Sequence, residues 1–216
     1  GIKVLIKVNN AARMAFIDDL ALELFTLSLI GVVSIYLTGT AYIYYRKGIK
    51  DVEKVMRPGA FVLAVLAVIV LIMGIYGEMT WPLPGSYNIL FYDPYLLFGI
   101  VLMSVSLSII LGQKLQFSGI LAFFSGLIAL YYGANAYIDK MTASPIAMLG
   151  LYISFGLTGV FTFPSTLIYD ILPAKEKVSR LWTVVLILFW IGLVISTILS
   201  ALTAIEAVPQ HLLSPP

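Results

Sequence analysis

The sequence lacks cysteine altogether, has a single histidine and is poor in charged residues. Without cysteine the chain can form no disulfide, thiolate metal site, iron–sulfur cluster or cysteine nucleophile. Its one histidine, His211, excludes a haem held by two histidines of the same chain and argues against a zinc site built on histidine. We therefore expect no cofactor.

Charged residues make up only 11% of the 216 residues, whereas soluble domains carry about 25%. Hydrophobic residues make up 61%, and the mean hydropathy is +1.02. Too little polar surface remains to cover a globule in water, so the solvent must be a bilayer and the surrounding partners membrane lipids. The net charge of +2 gives no indication of nucleic-acid binding, and we expect none.

Six apolar runs are each long enough to cross about 30 Å of hydrocarbon as a helix. Asp93 and Pro94 offer an N-cap followed by proline at the first helical position, and Pro58 opens the second run in the same way. The sequence therefore predicts an all-α polytopic transmembrane bundle of about six helices over residues 14–208. The predicted spans lie near residues 20–45, 59–77, 95–111, 117–137, 146–171 and 181–205.

Two terminal segments are set apart from this bundle. Residues 1–13, GIKVLIKVNNAAR, precede Met14 and are too short to span a bilayer, so we interpret them as an N-terminal extension of uncertain origin. Residues 209–216 form a short tail that is rich in proline.

Basic residues are distributed unequally between the two sides of the predicted bundle. Nine Lys and Arg residues fall in the connectors 46–58, 112–116 and 173–180, whereas Lys140 is the only one on the other side after Met14. Because cytoplasmic loops of membrane proteins carry an excess of Lys and Arg, we expect these three connectors in the cytoplasm. Both termini of this cell-membrane protein would then face outward.

The connector EMTWPLPGSYNILFYDPY, residues 78–95, is rich in aromatic residues and proline. Aromatic rings suit the headgroup level of a membrane, and proline disfavours a regular helix. We predict an irregular segment in the outer interface, which is either an anchored loop or a lid that dips into the bundle. Its predicted cap residues are Trp81, Pro82, Pro84, Gly85, Tyr87, Asn88 and Asp93.

The fourth run carries small residues at steps of three and four, which is the spacing of one helix face. In lipid, small residues let helix backbones approach closely. This packing seam lies either inside one bundle or between two copies of the chain. Its residues are Gly119, Ala122, Gly126, Ala129, Gly133 and Ala136.

Acidic residues gather on the predicted outer side. Glu78 and Asp139 end outward-running helices, where the helix dipole disfavours negative charge. Glu23 lies one turn inside the first helix, and Asn135 shares a helix face with Asp139. The four oxygen-bearing side chains predict a site for a hard cation or a proton relay. Solvated interfacial acids, or acids paired with a partner subunit, are the alternatives.

No catalytic signature is visible in the sequence, which contains no GxSxG, HExxH, P-loop or dinucleotide fingerprint. We therefore do not expect an enzyme.

Two stretches, MAFIDDLALELFTL and TWPLPGSYNILFYDPY, resemble an uncharacterised and mostly archaeal family of multi-pass membrane proteins, a domain of unknown function. The resemblance implies a topology and no activity. Two hypotheses for function follow from the sequence. The first is a structural or accessory subunit of a membrane assembly, bound to other membrane subunits or to itself as a homo-oligomer. The second is a small cation or proton channel or transporter with an acidic outer mouth.

Overall fold

The computed structural model of the chain describes residues 19–49, 51–171 and 179–213. These residues form six α-helices and no strand, and each helix is long and apolar enough to cross a membrane. The predicted all-α transmembrane fold is therefore confirmed. The helices are α1 (Asp19–Arg46), α2 (Val52–Thr80), α3 (Ser86–Leu111), α4 (Gln116–Ile138), α5 (Pro145–Ile171) and α6 (Arg180–Leu213). The predicted extension 1–13 lies outside the described residues.

The six helices form a closed ring. Each helix packs extensively on its neighbours in sequence, and α1 closes the ring against α6. Large apolar side chains such as Leu29, Val65 and Leu181 are exposed on the described helices, as expected for surfaces that face lipid. The ring therefore separates an outer, lipid-facing surface from an interior.

Short connectors make successive helices antiparallel, so the bundle has two chemically different ends. We call the end where α2 and α4 finish the acidic end. It carries the connectors 81–85 and 139–144. We call the opposite end the basic end, and it carries the described connector residues 47–49, 51 and 112–115.

Two helices begin earlier than the sequence predicted. α2 begins at Val52 and α3 at Ser86, so Pro58 and Pro94 lie inside helices rather than at their starts. A proline inside a helix leaves the carbonyl four residues earlier without its usual N–H partner. For Pro58 that carbonyl belongs to Lys54, which is exposed and can be hydrated. For Pro94 it belongs to Leu90, which is buried and receives a hydrogen bond from another helix.

The irregular backbone between α2 and α3 is therefore shorter than predicted. Only the connector residues 81–85 are non-helical, whereas Tyr87, Asn88 and Asp93 of the predicted cap belong to α3. Trp81 and Gly85 both have positive φ, 51° and 56°, and allow the chain to reverse within five residues. The connector is too short to dip into the bundle as a lid.

Asn88 explains why the chain becomes helical so soon after this turn. Its fully buried amide donates to the carbonyl of Gly77 at 3.1 Å and accepts from the N–H of Leu83 at 3.3 Å. One side chain thus joins the end of α2, the connector and the start of α3. A buried amide with both functions satisfied fixes this turn more firmly than local helix propensity does.

The predicted seam of α4 is buried within the chain, against α5. All six of its Gly and Ala residues are buried. A Cβ added at Gly126 would lie 2.6 Å from the carbonyl oxygen of Gly156 and 3.0 Å from the carbonyl carbon of Gly159, so the two helix backbones touch. This face of α4 is therefore not available for contact with a second copy of the chain.

At the basic end, Asp170 ties α5 to the start of α4. Its carboxylate accepts hydrogen bonds from the backbone N–H groups of Leu115 at 3.1 Å and Gln116 at 2.7 Å. A carboxylate at a helix N-terminus contributes about 1 kcal/mol to stability. Also at the basic end, the Lys54 ammonium lies 2.8 Å from the Asp51 carboxylate and lowers the pKa of that carboxyl. Both side chains are exposed, so this ion pair stabilises the fold little.

We expect Gly126→Leu to disrupt the bundle, because its new side chain meets the backbone of α5, which cannot give way. The loss should be about 3 kcal/mol in the free energy of unfolding in detergent, an overpacking cost. The matched control is Gly39→Leu, since a Cβ at Gly39 meets no atom within 4 Å. Unchanged melting of Gly126→Leu, or equal losses in both variants, would contradict this packing.

Candidate functional site

A larger and a smaller cavity lie between the helices in the described part of the chain. The larger has a volume of about 310 Å³ and is lined by residues from five helices, α1 and α3 to α6. The smaller has a volume of about 170 Å³ and lies toward the basic end. Six residues line both cavities, so the two cavities adjoin each other along the bundle. They are Leu27, Phe98, Val101, Phe155, Thr158 and Thr162.

An aromatic pair lies at the junction of the two cavities. Phe98 of α3 and Phe155 of α5 meet edge to face, with ring centroids 6.1 Å apart. The remaining polar groups at this level are the hydroxyls of Thr158 and Thr162, which donate to carbonyls of their own helix at 2.7 Å. The hydroxyl oxygens keep acceptor capacity toward the cavity. The junction is thus mainly apolar and weakly hydrogen-bonding.

Glu23 brings a carboxyl group into the wall of the larger cavity. It is the fifth residue of α1 and only 4% exposed. Negative charge is favoured near a helix N-terminus, which lowers the cost of burying this side chain. The hydroxyls of Tyr95 and Tyr152, which also line the cavity, lie close to it. Burial of an ionisable group among membrane-spanning helices is costly and is a mark of function in membrane proteins.

A second acidic group, which we call the carboxyl cluster, consists of Glu78, Asp93 and Tyr132. The Tyr132 hydroxyl donates a hydrogen bond to Asp93 Oδ2. The carboxyl groups of Glu78 and Asp93 are close neighbours. Repulsion between two neighbouring carboxylates favours a proton on one of them. The carboxyl cluster is therefore a candidate place for a proton.

Tyr152 is close to both Glu23 and the carboxyl cluster. Its buried hydroxyl donates to the carbonyl of Leu90, the group that Pro94 deprives of its helical partner. The same hydroxyl is within electrostatic range of Glu23, Tyr132 and Asp93. One tyrosine therefore supports the proline-containing turn of α3 and links the cavity acid to the carboxyl cluster.

The structure places the four predicted cation-binding residues in different surroundings. Glu23 lines the cavity, and Glu78 belongs to the carboxyl cluster. Asn135 donates to the carbonyl of Tyr131 in its own helix at 2.8 Å, and Asp139 is exposed at the end of α4. No group of three or more His, Asp or Glu side chains is arranged to hold a metal ion in the part of the chain that the structure describes.

Sequence reasoning missed three members of this region. Asp93 was predicted to cap a helix, but it lies in the second turn of α3. Tyr132 and Tyr152 were not predicted at all, because a tyrosine near the end of a membrane helix is typical of the interface. Their roles depend on which helices are neighbours, and no sequence signal could have found them.

The chain matches one protein family along almost its whole length. The family model described as "Protein of unknown function (DUF981)" covers residues 14–214, so the chain belongs to this family. The resemblance to a family of unknown function is thereby confirmed. No curated protein and no solved structure shows a significant match to the chain.

Proposed function

We propose that this membrane-spanning helical protein is a small proton-linked transporter, in which the interior cavity is the substrate site. The observation that carries the proposal is Glu23, a buried carboxyl group in the wall of a cavity between membrane-spanning helices. Ligand sites are typically concave, mainly apolar and provided with a few placed polar groups. A purely structural subunit gains nothing from a buried acid beside an enclosed cavity, and the acid costs it stability.

The carboxyl cluster supplies the proton-binding element of this proposal. In this proposal the neighbouring carboxyl groups of Glu78 and Asp93 share a proton, and the Tyr132 hydroxyl fixes the position of Asp93. Tyr152 lies within reach of the charges of both Asp93 and Glu23. A change of charge at the cavity would therefore alter how firmly the carboxyl cluster holds its proton, which is the coupling that a proton-linked transporter needs.

We also infer that the protein lies in the cell membrane with its basic end in the cytoplasm. The inference depends on the excess of Lys and Arg in the connectors at that end. The acidic end, with the carboxyl cluster, would then face outward and receive protons from outside.

We expect a peptide tag placed after residue 216 to be removed by protease added to intact cells, because this topology puts the C-terminus outside. The control is the same tag inserted in the connector 112–115, which should be protected until the cells are lysed. Protection of the terminal tag and digestion of the inserted one would reverse the topology.

We expect proteoliposomes that contain the protein to dissipate an imposed pH gradient faster than proteoliposomes of Asp93→Asn, with potassium and valinomycin clamping the potential. Asparagine still accepts the Tyr132 hydrogen bond but cannot carry a transferable proton, so the flux should fall several-fold. Entrapped pH-sensitive dye gives the rate. The control is Glu206→Gln, which alters an exposed acid of α6 and should leave the flux unchanged.

Equal proton flux in the protein and in Asp93→Asn would contradict the proposal. The accessory-subunit hypothesis would then be preferred, with other membrane proteins or a second copy of the chain as partners. The lipid-facing surface of the ring would be the surface to which they bind, because the α4 seam is occupied by α5.

A further inference from the structure

The two adjoining cavities together extend along most of the bundle. Their lining on α5 begins at Met148 and ends at Tyr169, which is about 30 Å of helix at about 1.5 Å per residue. On α1 the lining begins at Leu20 and ends at Thr38. The hydrocarbon core of a bilayer, which is two lipid chains deep, is also about 30 Å thick. A ligand that occupies both cavities can therefore be as long as one lipid chain.

Hydroxyl groups in the lining of the smaller cavity donate their protons within their own helices. Thr38, Thr158 and Thr162 each donate to the carbonyl four residues earlier, at 2.7 Å. Ser165 and Ser196 also donate to carbonyls of their own helices, at 2.7 Å and 3.0 Å. These protons are therefore not available to a ligand.

The rest of this lining is mainly hydrocarbon and aromatic, and it includes the buried side chains of Leu63, Ile109 and Leu186. No Asp, Glu, Lys, Arg or His of the described chain lines the smaller cavity. A charged group placed there would lose its hydration without a compensating partner, at a large cost in free energy. A hydrocarbon chain needs no hydrogen bond and gains dispersion contacts with the lining. The smaller cavity therefore favours the apolar part of a ligand.

We propose that the substrate is a single-chain amphiphile whose hydrocarbon chain crosses the junction at Phe98 and Phe155 and ends in the smaller cavity. This inference rests on the proposed function, since it takes the interior cavity as the substrate site and names the substrate class. The polar group of the amphiphile lies in the larger cavity, toward the acidic end. There the lining reaches Leu20 in the first turn of α1 and Ala207 near the end of α6, so this group stays close to the polar surface of the membrane.

Two photoactivatable probes test where each end of the chain lies. Both are straight-chain alcohols of about 16 carbons, a length typical of one membrane-lipid chain. One probe carries a diazirine near the end of the chain, and the other carries it near the hydroxyl group. Each is added to proteoliposomes of the full-length protein and illuminated, and mass spectrometry of the peptides identifies the labelled residues.

We expect the chain-end diazirine to label Leu63 and Leu186, which line only the smaller cavity and are buried from bulk lipid. The diazirine near the hydroxyl group should instead label Phe91 and Met148, which line only the larger cavity. An excess of the same alcohol without a diazirine should reduce this interior labelling several-fold. Labelling of lipid-facing Val65 measures the background and should not fall.

A variant at the junction then tests whether the chain passes through it. Val101 lines both cavities, so Val101→Trp should obstruct the junction. It should abolish chain-end labelling in the smaller cavity and preserve labelling in the larger one. Val65→Trp makes the same change on the lipid-facing surface and should alter neither. The positions labelled in the unmodified protein test the proposal by themselves if Val101→Trp fails to fold.

Chain-end labelling confined to lipid-facing residues would overturn the proposal, as would interior labelling that is the same for both probes or that excess alcohol does not reduce. This failure is distinct from failure of the proposed function, because labelling uses no proton gradient and leaves Asp93 unchanged. Proton flux that depends on Asp93, together with no interior labelling, would reject this substrate class alone. The predicted labelling with flux independent of Asp93 would reject the proton linkage alone.

Discussion

The backbone contact between α4 and α5 is the interaction on which the rest of the structure depends. In a bilayer the hydrophobic effect does not drive helices together, so close packing and polar contacts must do so. Gly126 on one helix and Gly156 and Gly159 on the other leave no room for a Cβ between them. This contact fixes the rotation of α5, which in turn aims Phe155 and Thr158 at the interior. The close packing of α4 against α5 thus decides which side chains of α5 line the cavities.

Some of the polar side chains inside the bundle satisfy backbone groups that the helices leave without a partner. Tyr152 satisfies the carbonyl that Pro94 leaves free, and Asn88 satisfies two backbone groups at the turn before it. The carboxyl group of Glu23 differs from these groups, because it is ionisable and lies in the cavity wall. Its burial costs stability. That cost is the physical reason for placing function at the acidic end.

Much of the fold could be predicted from the sequence, whereas the site could be predicted only in part. Hydropathy located six helices, and the spacing of Gly and Ala identified the buried face of α4. The predicted start of α3 was wrong, because the hydrogen bonds of Asn88 and Tyr152 outweigh the helix-start signal of Asp93 and Pro94. The acids were placed at the right end, but their grouping depends on the order and rotation of helices around the ring. A single sequence gives depth along each helix and not that order.

The most direct test of the interior cavity uses the absence of cysteine from the chain. Single cysteines at Thr158, which lines both cavities, and at lipid-facing Val65 would be exposed in proteoliposomes to a small cationic thiol reagent. Both positions lie near the middle of their helices. The account predicts that the cysteine at position 158 reacts and that the one at position 65 does not. Reaction at neither position, or at both equally, would contradict an interior site that is accessible from water.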